Sequence, residues 1–174
     1  MSSFNTAEKR TAIDTINLEQ IDVTEIITLL NQYKLTLNIV GEDEVIPGSF
    51  WGDEEAGLIN DQVYARPDTP IHSLLHESCH YICMDEERRK SLHTDAGGTA
   101  DEENAVCYLQ ILLSEKLSFM GREKMMRDMD SWGYNFRLGS CKAWFEKDTS
   151  DEYQWLLSHK LITPNNSPTF NLRK

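Results

Sequence analysis

The sequence lacks long apolar runs, since no stretch approaches the 18 or more apolar residues that a membrane-spanning helix needs. Residues 1–20 are polar and contain no apolar segment of the kind that forms a secretory signal. We therefore expect a cytoplasmic protein with no membrane partner.

Paired cysteines are also missing. The four cysteines, Cys79, Cys83, Cys107 and Cys141, form no Cys-x-x-Cys step. Two of them lie in apolar helical contexts, where a free thiol acts as a small hydrophobic side chain. This usage indicates reduced cysteines with a mainly structural role.

Positive charge is scarce, because the 174 residues include 17 Lys and Arg against 29 Asp and Glu, a formal net charge of −12. The electrostatic field of so negative a protein repels phosphate backbones and anionic lipid surfaces. We therefore expect neither nucleic acid nor membrane as a partner. The hydrophobic fraction of 40% and the charged fraction of 26% are those of an ordinary globular chain long enough for one domain.

The apolar pattern predicts an α+β fold. Residues 6–32 carry apolar side chains at helical spacing, which predicts one or two helices, and residues 35–40 alternate with the period of a half-buried strand. Further β segments are predicted at residues 49–51 and 56–64, which complete a small, mostly antiparallel sheet. Residues 85–90 look like a charged connector. Helices are predicted at residues 70–84, 101–117, 121–132, 139–145 and 150–159.

The most informative segment is residues 76–80, His-Glu-Ser-Cys-His, which matches the HExxH pattern of zinc metallopeptidases on a predicted helix. At about 100° per residue, His76 and His80 differ by about 40°, so both imidazoles can reach one tetrahedral Zn²⁺. Glu77 lies about 100° from His76 and can address the metal-bound water. The alternative interpretation is a pair of partly exposed histidines on a surface helix.

A catalytic zinc needs a third protein ligand on a neighbouring element. The helix predicted at residues 101–117 begins with Glu102 and Glu103. Glu102 shares a face with the apolar residues of this helix, whereas Glu103 shares another face with Gln110 and Ser114. A carboxylate on an apolar face needs a cation, which zinc would supply. We therefore predict Glu102 as the third ligand, with Glu103 as the alternative; a third interpretation is an acidic first turn that favours the helix dipole.

Several other residues are candidates for supporting roles. His72 shares the metal side of its helix but lies too far along the axis from His80 to join the same coordination sphere. His93 and Asp95 lie between the two metal helices, where Asp95 either orients a ligand imidazole or forms a turn. Tyr134 or Arg137 is a candidate oxyanion group, although a packed aromatic corner is the favoured interpretation of that segment.

These features resemble the gluzincin clan of zinc metallopeptidases, in particular its minimal single-domain members and the bacterial anti-repressor and radiation-response metallopeptidases. The matching parts are the β segment at residues 58–66, the HExxH helix, and the Glu-x-Asn step at residues 102–104. The resemblance covers roughly residues 35–115 and implies zinc bound by His76, His80 and a glutamate, with Glu77 as the base. The chain departs from the family at residues 106–107, Val-Cys, where an aromatic residue and an alanine are usual.

The leading hypothesis is a single zincin-like metallopeptidase domain at residues 1–163, with its metal site within residues 35–115 and a loose tail at residues 164–174. It comprises a small sheet packed on the HExxH helix and the third-ligand helix, with a helical C-terminal extension. Such a domain would hydrolyse a peptide or protein substrate through a zinc-bound water, with Glu77 as general base. The alternative is a metal-binding regulatory or protein-interaction module of the same fold with little turnover, which the small size and the lack of a clear oxyanion residue favour.

Overall fold

The computed structural model describes residues 15–174, so the helix start predicted near Thr6 lies outside the described residues. Residues 15–174 form helices and a small sheet, which confirms the α+β class. The helices are α1 (Thr24–Gln32), α2 (Ile71–Cys83), α3 (Glu86–Lys90), α4 (Ala100–Ser114), α5 (Arg122–Trp132), α6 (Cys141–Lys147) and α7 (Ser150–Ser158). The strands are β1 (Thr36–Ile39), β2 (Gly57–Ile59) and β3 (Gln62–Ala65).

The sheet has the order β1-β3-β2 and is mixed, so the prediction of a mostly antiparallel sheet is wrong. β1 pairs with β3 in parallel, whereas β2 pairs with β3 in the antiparallel sense. The segment predicted at residues 56–64 is split by Asn60, whose φ of 51° allows the tight turn between β2 and β3. The segment predicted at residues 49–51 forms only an isolated bridge, from Ser49 to Gly57. Alternation reveals a strand's faces but not its pairing direction, which explains the error.

Helix α2 runs through the centre of the fold, close to the predicted range of 70–84. It begins after Pro70, whose φ of −64° suits a helix start, where the proline's missing N–H costs no helical hydrogen bond. Every residue of α2 is buried. The helix packs against β2 and β3 and also against α4 and α5. A helix buried on all faces must satisfy its polar side chains within the protein, which makes its histidines and Glu77 informative.

Helix α4 lies beside α2 and packs also on α5 and α7. The Thr99 side chain caps it by accepting a hydrogen bond from the backbone N–H of Glu102. Three acidic residues occupy its first turn, where the helix dipole stabilises negative charge. The cap and dipole therefore fix the first turn of α4 next to α2.

The remaining predictions for the C-terminal third are largely confirmed, since α5, α6 and α7 correspond to the three predicted helices. Thr149 is the N-cap of α7. The charged connector contains a short helix, α3, capped by the Asp85 side chain, which accepts from the backbone N–H of Arg88. No helix within residues 15–174 is both long and apolar enough to cross a membrane.

The C-terminal tail is held against the body, in contrast to the loose tail expected from its Pro and Asn content. The backbone N–H of Arg173 donates to the carbonyl of Ile82 at 3.0 Å, at the end of α2. The Phe170 ring lies 5.5 Å from the Tyr33 ring, centroid to centroid. Composition indicates low intrinsic order, but these long-range contacts outweigh it.

Candidate metal centre

The structure brings His76, His80 and Glu103 together between α2 and α4. Nε2 of His76 lies 3.2 Å from one Glu103 carboxylate oxygen, and Nε2 of His80 lies 3.1 Å from the other. All three groups offer a ligand atom within 4.8 Å of the others. All three residues are buried, which excludes the interpretation of two exposed histidines on a surface helix.

This set of donor atoms fits zinc. Two imidazole nitrogens and one carboxylate are a donor set of catalytic zinc sites, which keep a further position for water or substrate. Bonds of about 2.0–2.1 Å at tetrahedral angles separate neighbouring ligand atoms by about 3.3 Å. The two histidine nitrogens lie 3.2 and 3.1 Å from different oxygens of Glu103, and all three ligand atoms are within 4.8 Å of one another. The three side chains are therefore close enough together to reach one metal ion.

Glu102, the ligand preferred in the sequence analysis, points elsewhere. Its carboxylate pairs with Nη2 of Arg88 at 2.6 Å and with Nη1 of Arg173 at 2.7 Å. The argument that a carboxylate on the apolar face needs a cation was sound, but the cations are two arginines. Arg173 is in the C-terminal tail, so spacing within α4 did not reveal the pairing. Glu103, the alternative, is the residue that faces the two histidines.

We expect Arg173→Ala to lower the free energy of unfolding by about 1.5–3 kcal/mol, the usual range for a hydrogen bond to a charged group. The reason is that the Glu102 side chain is only 3% exposed and would keep a single arginine partner. Urea denaturation measures the change, with Lys174→Ala as the neighbouring control. A loss below about 0.5 kcal/mol, typical of surface substitutions, would show that the tail contributes nothing here.

Gly98 allows the loop before α4 to approach the Glu102 pair. Its φ is 104°, a conformation that residues with a side chain rarely adopt. A Cβ atom at this position would lie 1.9 Å from a carboxylate oxygen of Glu102. The glycine therefore lets the loop that borders the metal site pack closely on the first turn of α4.

Gln110 orients His76 from the side opposite Glu103. The Gln110 amide donates to the backbone carbonyl of His72 at 2.9 Å, which directs its oxygen toward Nδ1 of His76 at 2.8 Å. That oxygen can only accept, so His76 carries its proton on Nδ1 and presents the Nε2 lone pair to a metal. The signal in the sequence was the face that Gln110 shares with Glu103 on α4.

We expect Gln110→Leu to weaken zinc binding by about 10- to 100-fold, the usual effect of removing a hydrogen-bond partner of a metal-ligating histidine. The leucine fills the same buried space but cannot hold the His76 ring. Ser114→Ala is the matched control, because Ser114 is also buried on α4 and its hydroxyl donates to the carbonyl of Ile111 in the same helix. Competition with a chromophoric chelator measures both affinities. Equal affinities for the two variants would contradict this role for Gln110.

Without a metal, His76 and Glu103 shift each other's pKa. Burial alone lowers the pKa of His76, but hydrogen bonds to Cys107 and Glu103 and the charge of Glu103 outweigh it and raise that pKa well above 6.5. Burial likewise favours the neutral form of Glu103, but hydrogen bonds from both histidines hold its pKa below the usual 4.5. Glu103 therefore stays ionised at neutral pH, as a metal ligand must.

Glu77 lies beside the metal ligands in a cleft of about 220 Å³. Burial raises its pKa above 4.5, and the nearby histidines only partly offset that effect. A carboxylate with a raised pKa takes up a proton more readily near neutral pH, which is the property of a general base. The other walls of the cleft are the Phe50–Trp51 loop and residues 94–100.

Of the residues predicted to have supporting roles, His72 and Tyr134 lie behind the metal cleft. His72 and Tyr134 are buried behind the metal ligands, with Nδ1 of His72 3.2 Å from the Tyr134 hydroxyl. They form the packed aromatic corner favoured in the sequence analysis, and neither lines the cleft.

Asp95 lines the cleft and forms a turn by accepting from the backbone N–H of Gly97. His93 and Arg137 do not line the cleft. The His93 ring contacts the hydroxyl of Thr94. The Arg137 guanidinium pairs with acidic residues of the C-terminal third.

Glu55 is a buried carboxylate that sequence reasoning missed. It accepts hydrogen bonds from Nε1 of Trp132 at 2.8 Å and from the Ser73 hydroxyl at 2.6 Å. In the sequence it looks like the last residue of an exposed acidic turn, residues 52–55, and no local spacing links it to Trp132. These bonds tie the end of that turn to α2 and α5.

No protein-family model, curated protein or solved structure matches this chain. The gluzincin resemblance therefore rests on the residues of the chain itself.

Proposed function

We propose that this protein is a zinc-dependent peptidase with a minimal zincin-like fold, related to the gluzincins. The observation that carries the proposal is the His76, His80 and Glu103 cluster with Glu77 beside it in an accessible cleft. The zinc ligands would be the two Nε2 atoms and the Glu103 carboxylate. Bound zinc would act as a Lewis acid that polarises the scissile carbonyl and acidifies a water molecule.

The chain's own residues would then perform the proton transfers. Glu77 would take a proton from the attacking water and deliver it to the leaving amine. Its raised pKa suits both transfers, because the carboxylate must accept the proton and then release it. Gln110 would hold His76 in the tautomer that leaves Nε2 free for the metal. We further propose a cytoplasmic protein acting on peptide or protein substrates, with residues 1–163 as the catalytic domain.

Zinc binding should strengthen as the pH rises. In the metal-free protein the raised pKa of His76 favours its protonated form, so zinc must displace that proton. The apparent affinity is therefore lowest in acid and rises, by up to about tenfold per pH unit for one displaced proton, until the pH exceeds the pKa of His76. Because that pKa lies above 6.5, the rise should continue past pH 6.5. Chelator competition at several pH values measures it, and an affinity independent of pH would contradict a histidine-bound metal.

A second candidate is a metal-binding regulatory module with little turnover. The observation that favours it is the composition of the cleft, whose lining among the described residues contains no Tyr or Arg and no histidine beyond His76 and His80. Such side chains commonly stabilise the oxyanion of peptide hydrolysis. Hydrolysis of an unfolded protein substrate that depends on Glu77 would favour the peptidase. Zinc binding without any such hydrolysis would favour the regulatory module.

A further inference from the structure

Two aromatic side chains form an exposed wall of the metal cleft. Phe50 is 45% exposed and Trp51 37% exposed, and their rings meet edge to face with centroids 5.1 Å apart. Both line the same cleft as His76, Glu77 and His80. Large apolar surface left in water is unfavourable and commonly marks a place where a ligand is bound.

The wall is anchored at both ends. On its N-terminal side, the carbonyl of Gly48 accepts from the backbone N–H of Leu58 in β2 at 3.1 Å. On its C-terminal side, Glu55 is fixed by Ser73 and Trp132, as described above. The aromatic pair is therefore held in place before any ligand arrives, which lowers the entropic cost of binding.

The sheet edge at the cleft is not available for pairing at Leu58. Its backbone N–H is used by Gly48, and its carbonyl accepts from the backbone N–H of Thr94 at 2.9 Å. A substrate strand therefore cannot add to β2 at this point. Recognition must come mainly from the side chains and loops that line the cleft.

The charges of the cleft limit the substrate further. Among the residues that the structure describes, its lining contains the carboxylates of Glu77, Asp95 and Glu103 but no lysine or arginine. Glu103 would be bound to the zinc, so the carboxylates left to repel an acidic substrate side chain are those of Glu77 and Asp95. The other loop of the cleft, residues 94–100, contributes mainly small side chains, which leave room for a bulky group.

We propose that Phe50 and Trp51 are specificity-determining residues that bind a bulky apolar side chain of a peptide segment. This inference rests on the proposed peptidase function and names its substrate class. The cleft would prefer segments with Leu, Met, Phe or Tyr over segments with Ala by about 10- to 100-fold, the usual discrimination of an apolar pocket. Segments with acidic residues would bind poorly.

The test uses the full chain carrying Glu77→Gln, loaded with zinc, so that binding is measured without turnover. The ligands are fluorescein-labelled octapeptides with blocked termini, which are randomised except at one scanned position. The protein is titrated into each peptide, and binding is followed by fluorescence anisotropy. We expect Phe and Leu peptides to bind more tightly than Ala and Asp peptides. Adding Phe50→Ala and Trp51→Ala should remove this preference, whereas Trp51→Phe, which keeps an aromatic ring, should retain most of it.

Val45→Ala and Leu138→Ala are the matched controls, because both remove an exposed apolar side chain that does not line the cleft. They should leave the preference unchanged. A preference that survives removal of both aromatic rings would overturn the proposal. So would tightest binding by acidic peptides, or the absence of binding by every peptide.

The failure of this proposal is distinguishable from the failure of the proposed function. Zinc content of each variant and Glu77-dependent hydrolysis of an unfolded protein are measured in parallel. If hydrolysis is present but is unchanged by substitution of Phe50 and Trp51, only the assignment of these two residues to substrate specificity is wrong. If zinc or hydrolysis is absent, the proposed peptidase function is wrong, and the specificity assignment is wrong with it.

Discussion

Glu103→Gln should weaken zinc binding by more than about 100-fold, beyond the range for residues that only support a ligand, whereas Glu102→Gln should change it by less than about tenfold. The same isosteric change is made at adjacent positions, so helix propensity and side-chain volume are matched. Glu103 faces both histidines, and its amide counterpart is a poor zinc ligand. Glu102 is occupied by Arg88 and Arg173, so its loss affects the metal only through the first turn of α4.

Chelator competition at neutral pH ranks the two variants. Both substitutions weaken a buried charged pair of the metal-free protein, Glu102 with two arginines and Glu103 with two histidines, so both are expected to lower its stability. Urea denaturation of both metal-free variants therefore accompanies the titration and separates loss of the fold from loss of a ligand. A larger loss of zinc affinity for Glu102→Gln, with the fold intact, would contradict the assignment of Glu103.

Glu77→Gln should lower the rate of peptide hydrolysis by about 10²- to 10⁴-fold, the usual contribution of a general base. Zinc should remain bound, because Glu77 is not part of the ligand cluster. The glutamine has the same shape but accepts no proton at neutral pH. The loss should appear in kcat with little change in KM, since the interaction is made in the transition state.

The control for this measurement is Asp95→Asn, a second cleft carboxylate that forms only a loop turn among the described residues. It should keep zinc and most of the activity. Equal activity of Glu77→Gln and the unsubstituted protein, both loaded with zinc, would exclude Glu77 as the base.

The parts of the site that are local in the chain could be predicted from the sequence. His76, Glu77 and His80 lie within two turns of one helix, so helical geometry alone placed them correctly relative to one another. The extent of α2 was also predictable, because Pro70 signals its start. Local periodicity similarly revealed the three C-terminal helices.

The parts that depend on distant contacts could not be predicted. Glu102 is paired with Arg88 and with Arg173, and Arg173 is 71 residues beyond Glu102. The buried state of Glu55 depends on Trp132, 77 residues away. The parallel pairing of β1 with β3 likewise depends on how the intervening segment returns to the sheet, which alternation does not encode. The face shared by Glu103 and Gln110 was a local signal for Glu103, but the apolar face of Glu102 was given more weight.

The most direct measurement is an anomalous difference map, recorded at the zinc absorption edge, from crystals of the full chain grown with zinc. We predict one strong peak between α2 and α4, within about 2.0–2.2 Å of Nε2 of His76, Nε2 of His80 and a carboxylate oxygen of Glu103. The same map from the His76→Ala protein should lack that peak. No peak at these three residues in crystals of the unsubstituted protein, or a peak that persists without His76, would contradict the metal centre on which the proposed function rests.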